Sequence, residues 1–407
     1  MRQRNPHRRS ALLVAGLCVV SFIVGGSAVS ALRARSWEPG QAARHSVSSA
    51  TRQSLAAAEV AARQDQIGDL LSAHYYRPVD AALLHDTPLA HLAVVLDDPY
   101  TEYLTPAQLA AFARGDAGTY AGIGIHAKLV NHNVVLDRVT AGGPAADAGL
   151  RVGDVLDRAD GRLLRVLDLE AALKLVRGKV GSMVTLEVNR GDHSVTFVVR
   201  RAEVAAQVVS HQVRRSHGQS VGYVQVLEFS RGVGEAVRAA VKELKSAGVR
   251  KVVLDLRHNG GGLVDEAVAL TAVFTPAGTP VFIESSLHFA KKEYRTHIAP
   301  ADTELPLVVL VDDQSASAAE IVTGALRDAG RAKVVGTKTF GKGVIQDLVP
   351  LSGGGALKYT MAEYLTPSGH KVNRLGIVPD VVATTRADGD EDPAFEAAVH
   401  TSRPRNS

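Results

Sequence analysis

Apolar and polar positions along this chain change their spacing four times, and each change marks a different kind of element. Ala11 to Leu32 is an uninterrupted, uncharged apolar run. From about Ala56 the apolar residues Val60, Ile67, Leu70 and Leu71 recur at helical spacing, and Leu83, Leu89, Leu92 and Leu96 continue it. Between Tyr120 and Arg201 the pattern becomes short strands punctuated by glycine: Tyr120–Ile125, Val134–Val139, Val184–Val188 and Val195–Val199, with an amphipathic helix predicted over Leu169–Val176. Beyond about Ala205, strand and helix alternate. Val221–Phe229 reads as a strand, Val233–Ser246 as a helix with Val237, Val241 and Leu244 on one face, and Val252–Leu256 and Leu305–Val311 as buried strands.

The expected fold class is therefore α/β. It comprises an N-terminal membrane helix, a helical region, a glycine-punctuated β domain with two helices, and a mixed α/β core whose crossover helices connect its strands. The expected boundaries are 1–35 for a basic tail and membrane segment, 36–118 for a linker and the helical region, 119–202 for the β domain, 203–384 for the core domain and 385–407 for a C-terminal tail. Within that tail a short helix is predicted over Pro393–His400.

Charge sharpens the reading of the N-terminus. The formal net charge is +4, but residues 1–35 hold six arginines and no acid, which leaves 40 basic residues against 42 acidic ones beyond them. The body is nearly neutral, so no basic domain is available for nucleic acid. As a helix, Ala11–Leu32 would measure roughly 33 Å, enough to cross a hydrocarbon core of about 30 Å. Arg2, Arg4, Arg8 and Arg9 would stay cytoplasmic, which gives a single-pass protein with its body outside the cytoplasm. The alternative is a cleaved signal peptide and a secreted body, with Ala28-Val29-Ser30 or Val29-Ser30-Ala31 before the cut. The single cysteine, Cys18, lies in this segment, so the body has no disulfide, thiol nucleophile or cysteine zinc cluster.

The candidate chemistry lies between Leu305 and Gln346. The apolar strand breaks at Asp312-Asp313-Gln314, passes Ser315-Ala316-Ser317 and enters a helix predicted over Ala318–Ala329. A serine at a strand-to-helix turn stands beside the unpaired amides of the first helical turn. Lys342 follows 25 residues later between Gly341 and Gly343, with Gln346 four further on. Flanking glycines allow the lysine backbone a close approach, and the pair suggests a Ser-Lys hydrolase. Two plainer readings compete. Ser317-Ala318-Ala319-Glu320 is also a capping box. Gly336 to Lys342 spells a phosphate loop, but Gly343 stands where a hydroxyl is needed and a strand follows in place of a helix.

Gly122-Ile123-Gly124 ahead of a strand could hold a peptide C-terminal carboxylate on its backbone amides. Combined with Gly143-Pro144-Ala145 through Gly149-Leu150 and Gly153-Asp154, it resembles a PDZ domain. From about Leu70 to Asp380 the chain resembles the carboxy-terminal processing peptidases, also called tail-specific proteases. The carriers are Asp98-Pro99-Tyr100, Gly122-Ile123-Gly124, Gly143 through Asp154, Leu254 through Gly262, Ser315 through Ile321, Thr339 through Gln346, and Gly376-Ile377-Val378-Pro379-Asp380. The resemblance implies Ser317 as nucleophile, Lys342 as general base, Gln346 as the residue that orients the lysine, and the backbone amides of Gly261 and Ala318 as the oxyanion hole. One departure is Asn259-Gly260-Gly261-Gly262 where the family usually has Asn-Pro-Gly-Gly; without proline the loop is freer in the unfolded chain. His258, beside that loop, suggests a competing Ser-His pair.

A lysine base must lose its proton, and an ordinary lysine pKa of about 10.4 leaves fewer than about one in a thousand neutral at pH 7. Burial has to supply the difference, roughly 4 kcal/mol for a pKa near 7.5. Gln346 suits this role because a neutral amide holds the amine without an opposing charge. The expected function is a serine endopeptidase that captures substrate C-termini on its PDZ domain and cleaves exported proteins nearby, with no metal or organic cofactor. The alternative is a catalytically silent, membrane-anchored PDZ adaptor that docks protein tails. The expected partners are a protein or peptide with a free C-terminus and the membrane; a homodimer and an activating partner stay open.

Overall fold

The computed structural model describes residues 49–384 and 392–402. Its centre is a six-stranded sheet in the order Val209–Ser216, Gln219–Val226, Lys251–Asp255, Leu307–Val311, Ala332–Gly336 and Val381–Val382. The first pair is antiparallel and every later pairing is parallel. Strands buried on both faces must be apolar at successive positions, which is why Val252-Val253-Leu254 and Leu307 through Val311 lack alternation. Val252, Leu254, Leu307, Val309 and Val311 face the main core with the helices Val233–Ser246, Val264–Phe274 and Ala318–Asp328. Val253, Val308 and Leu310 face the opposite way, onto Phe395, Ala398 and Val399 of the helix Pro393–His400. Each residue's face follows from the two-residue period of a strand.

A second, antiparallel sheet lies beside it. Ala356–Leu365 is its long strand, paired with Val344–Pro350, Glu102–Leu104 and Pro280–Ser285. The N-terminal helices share a core with this sheet: Ile67, Leu71, Tyr75, Leu84, Leu92 and Leu96 pack on Leu351, Leu357 and Tyr359. The segment ahead of the glycine-rich domain thus supplies both a strand and an apolar face to the core body.

The glycine-punctuated region folds as a sheet of Ile125–Val130, Asn133–Val139, Val155–Ala159, Met183–Arg190 and His193–Arg200, with Arg162–Leu163 beside it. The helices Pro144–Asp147 and Leu169–Val176 accompany it, and Val134, Leu136, Leu156, Ala172, Val184 and Leu186 fill its core. Asp168 caps the second helix by accepting the Ala171 amide at 2.7 Å. A two-stranded ribbon, Thr119–Gly122 with Ala202–Ala205, closes the domain where the chain enters and leaves it.

One expectation of fold class is corrected. The membrane helix expected over Ala11–Leu32 lies outside the described residues, and among the described residues no helix is long and apolar enough to cross a membrane. The longest helix, Ser49–His74, interrupts its apolar positions with charged and amide side chains. Among the described residues the architecture is mixed α/β with a PDZ-like domain and a core domain, and no membrane helix is present.

Candidate active site

Ser317 stands where the strand Leu307–Val311 has ended and the helix Ala318–Asp328 begins, with φ 56° and ψ −115°. That is a sparsely populated conformation for a residue with a side chain, and a strained turn of this kind presents a nucleophile ahead of the first helical amides. The turn is over-determined from both sides. Ser315 Oγ donates to the Leu256 carbonyl at 2.8 Å, the Ala316 amide donates to the Asn259 carbonyl at 2.9 Å, and Gly261 lies directly against the turn. A Cβ on Gly261 would stand 2.7 Å from Ser317 Cβ and 3.1 Å from the Ala318 nitrogen. Glycine is required there by contact as well as by its φ of 103°.

Glu320 joins this turn to the lysine. One of its carboxylate oxygens accepts the amides of Ser317 and Lys342, each at 2.9 Å; the other accepts the Gly341 amide at 2.8 Å and Thr339 Oγ1 at 2.5 Å. The side chain is 1% exposed. Burial pushes its carboxyl upward, and the four donors pull against that. Sequence reasoning saw Glu320 only as half of a capping box. Its second partner loop, 22 residues away, was not visible.

Tyr364, on the long antiparallel strand, adds a second tie. Its hydroxyl lies 3.1 Å from the Ser317 carbonyl and 3.0 Å from the Lys342 carbonyl. Full burial, with Glu320 and Tyr100 nearby, pushes the phenol well above its ordinary range, so it stays a donor. Lys342 is 1% exposed and Ser317 0%. The lysine Nζ lies 4.7 Å from the centre of the Tyr100 ring.

The flanking glycines are explained differently from the sequence argument. A Cβ on Gly343 would stand 2.1 Å from the Asn373 nitrogen, and one on Gly341 would stand 2.9 Å from the Gly376 nitrogen. Both glycines admit the 373–376 loop rather than the serine turn. Gln346 is wholly buried in Val344–Pro350, next to a register shift that pairs it with Thr360. Its Nε2 donates to Thr360 Oγ1 at 3.3 Å, and its Oε1 is buried without a hydrogen-bond partner.

Of the two expected oxyanion donors, Ala318 lies in the first helical turn, where an amide has no intrahelical acceptor. The Gly261 amide donates to Asn259 Oδ1 at 2.9 Å. His258 is exposed and belongs to another pairing: its amide donates to Asp312 Oδ1 at 3.0 Å, and its Nδ1 lies 3.0 Å from Asp312 Oδ2. The phosphate-loop reading fails on topology, since Gly336 ends a strand and Lys342 leads into another.

Gly122, Ile123 and Gly124 lie in the separate glycine-rich domain. The Ile123 carbonyl accepts from Ala145 at 2.8 Å, the Gly124 carbonyl accepts from Thr140 at 2.9 Å, and Gly124 has φ 79°. The Tyr120 ring packs on Gly122. Burial pushes its phenol up, while the Arg177 guanidinium and the amides of Ile125 and Gly124 draw it down. A cavity of about 310 Å³ lined by Tyr76, Tyr100, Phe340, Gly341 and Arg374 lies beside the lysine loop. A larger one, about 590 Å³ between Phe274, Thr303 and Arg331, includes none of the candidate residues.

Residues 220–383 match the model for peptidase family S41, and residues 135–190 match one for a PDZ domain. A "Probable CtpA-like serine protease" of Staphylococcus aureus is 34% identical over 322 residues, which cover 79% of this chain and 64% of that protein. The protein of the same description from Staphylococcus saprophyticus is 31% identical over 334 residues, covering 82% of this chain and 66% of that protein. The chain thus spans just under two thirds of the length of these curated relatives. Among solved structures, the photosystem II D1 C-terminal processing protease superposes with a TM-score of 0.54 and 29% identity, over 81% of this chain and 95% of that one.

Proposed function

The chain belongs to the C-terminal processing peptidases, with a family S41 core and a PDZ domain, and from that premise we propose that it is a serine endopeptidase working through a Ser317-Lys342 dyad. One observation carries the assignment: the buried Glu320 carboxylate fixes the backbones of both residues, Ser317 and Lys342, through the same oxygen. A helix cap needs only the first of those bonds. A second bond to a loop far along the chain serves to hold the lysine in register with the serine.

In this reading the Lys342 amine takes the Ser317 hydroxyl proton while the serine oxygen attacks a peptide carbonyl. The amide of Ala318 stabilises the oxyanion, joined by that of Gly261 once it turns from Asn259. The ammonium returns its proton to the leaving amine, and water hydrolyses the acyl-enzyme with the same lysine as base. With Ser317 wholly buried, a substrate reaches it only after a covering segment moves. Substrates are proteins or peptides with a free C-terminus, which the Gly122-Ile123-Gly124 loop of the PDZ domain engages through backbone amides.

The test is cleavage of an unfolded reporter bearing an apolar C-terminal tail, comparing the wild-type chain with Ser317→Ala and Lys342→Ala. Removing a member of such a unit lowers turnover by up to roughly a millionfold, whereas loss of a helix cap costs about 1 kcal/mol of stability. Cleavage by wild type alone supports the dyad. Equal silence of all three proteins, with the tail still bound at the PDZ loop, favours the adaptor.

A further inference from the structure

The segment Asp98-Pro99-Tyr100 is one of the carriers of the family resemblance. In the structure Asp98 is buried, and its carboxylate is the convergence point of four donors. Oδ2 accepts Tyr75 Oη at 2.9 Å, Thr101 Oγ1 at 2.7 Å and Thr360 Oγ1 at 2.7 Å; Oδ1 accepts the Tyr100 amide at 3.0 Å. Thr360 is the informative member, because a hydroxyl carries one proton. A carboxylate only accepts, so that proton points at Asp98, and whatever faces the other side of the threonine oxygen must be a donor.

The group on that other side is the Gln346 side-chain amide, at 3.3 Å. A glutamine amide has a donor end and an acceptor end of nearly equal shape, and its neighbours decide which way it turns. Here Thr360 demands the NH₂ end. The carbonyl end, Oε1, is thereby turned away and is buried with no partner in the fold. A buried acceptor left open is unfavourable, because it has given up its water without gaining a donor. The register shift between Ile345 and Gln346 sets Gln346 opposite Thr360.

We propose that Asp98, acting through Thr360, is a positioning residue that fixes the Gln346 carbonyl as an acceptor for the Lys342 amine. The proposal rests on the Ser-Lys reading for its catalytic meaning. An acceptor facing the amine takes one of its N–H bonds and leaves the nitrogen lone pair for the serine proton. The reversed amide would offer its own N–H to that lone pair, competing with the serine and disfavouring the ammonium.

The experiment is titration of the Lys342 ε-carbon NMR resonance in the full chain, assigned by its loss in Lys342→Ala, together with the pH profile of kcat/KM. Asp98→Asn gives Thr360 a donor, frees its proton for Gln346 and reverses the glutamine. The expected result is a Lys342 titration moved to lower pH by about one unit, roughly tenfold in proton affinity, with the acidic limb of kcat/KM moving the same way and its plateau falling. Thr360→Val moves it in the same direction by less, and Thr360→Ser restores the wild-type curve. A titration unmoved in folded Asp98→Asn and Thr360→Val proteins overturns the relay; if Asp98→Asn does not fold, Thr360→Val decides alone. Should the titration shift while wild type cleaves nothing, the relay stands and the peptidase reading falls. If wild type cleaves and the titration is unmoved, only the relay falls.

Discussion

Glu320 accepts the backbone amide of Lys342 at 2.9 Å, across 22 residues of sequence, from the helix Ala318–Asp328 to the loop that leads into the strand Val344–Pro350. The same oxygen accepts the amide of Ser317, so the distance between the two chain segments is set by one side chain that the chemistry itself does not consume.

Glu320→Gln keeps the shape and replaces one carboxylate oxygen by a donor. At whichever end the NH₂ sits, two donors of the protein lose their acceptor inside the core. The expected cost is about 2–4 kcal/mol of stability, with kcat/KM falling at least tenfold in the protein that remains folded. Thermal unfolding and reporter cleavage measure the two effects separately.

Tyr364→Phe removes the hydroxyl that spans the Ser317 and Lys342 carbonyls. A loss of about 1 kcal/mol in stability is expected, together with a lower kcat and a nearly unchanged KM, because both groups the hydroxyl reaches belong to the backbone of the dyad. Denaturant unfolding and steady-state kinetics give both numbers.

Gly261→Ala and Gly343→Ala both introduce one methyl group against backbone, at 2.9 Å from the Ala316 carbonyl oxygen and 2.1 Å from the Asn373 nitrogen respectively. Each should destabilise by about 1–3 kcal/mol through overpacking. Gly261→Ala should also abolish activity, since the clash falls on Ser317 itself. Gly353→Ala would meet only the far end of the Arg63 side chain, 3.0 Å away, so it serves as a milder comparison at a glycine that also has positive φ.

Asp154 gives a pH prediction for the PDZ domain. Burial pushes its carboxyl up, but hydrogen bonds from Arg190 and the Arg151 amide outweigh this and hold it below the ordinary 3.8. A carboxyl lowered on folding contributes stability above its unfolded pKa, and that contribution is lost as pH falls through the folded value. Hydrogen-exchange protection in Met183–Arg190, taken relative to the unfolded chain at the same pH, should therefore fall below about pH 4. Asp154→Asn should show faster exchange at neutral pH and a weaker acid dependence.

Much of the fold follows from local signals. The helices Val233–Ser246, Leu169–Val176 and Pro393–His400 form over the ranges their periodicity predicts, and the buried strands differ from expectation by a residue or two at their ends. The antiparallel hairpin partner Val209–Ser216 was missed, because a strand at the sheet edge with His211, Gln212, Arg214 and Arg215 carries little apolar alternation. The N-terminal helices were legible as helices, but not as part of the core body. Amphipathic spacing shows that a face is buried without showing against what.

The sequence by itself determined which residues could do chemistry here: a serine at a strand-to-helix turn, a glycine-flanked lysine, and a glutamine four residues on. Those choices are written in residue type and short spacing. Only the tertiary structure decided that Glu320 serves two loops, that the lysine's glycines face the 373–376 loop, and that Asp98 reaches Gln346 through Thr360 across 262 and 14 residues of chain. A hydrogen bond forms over about 3 Å whatever the contour length between its partners, so long-range pairings leave no period or spacing in the sequence to be read.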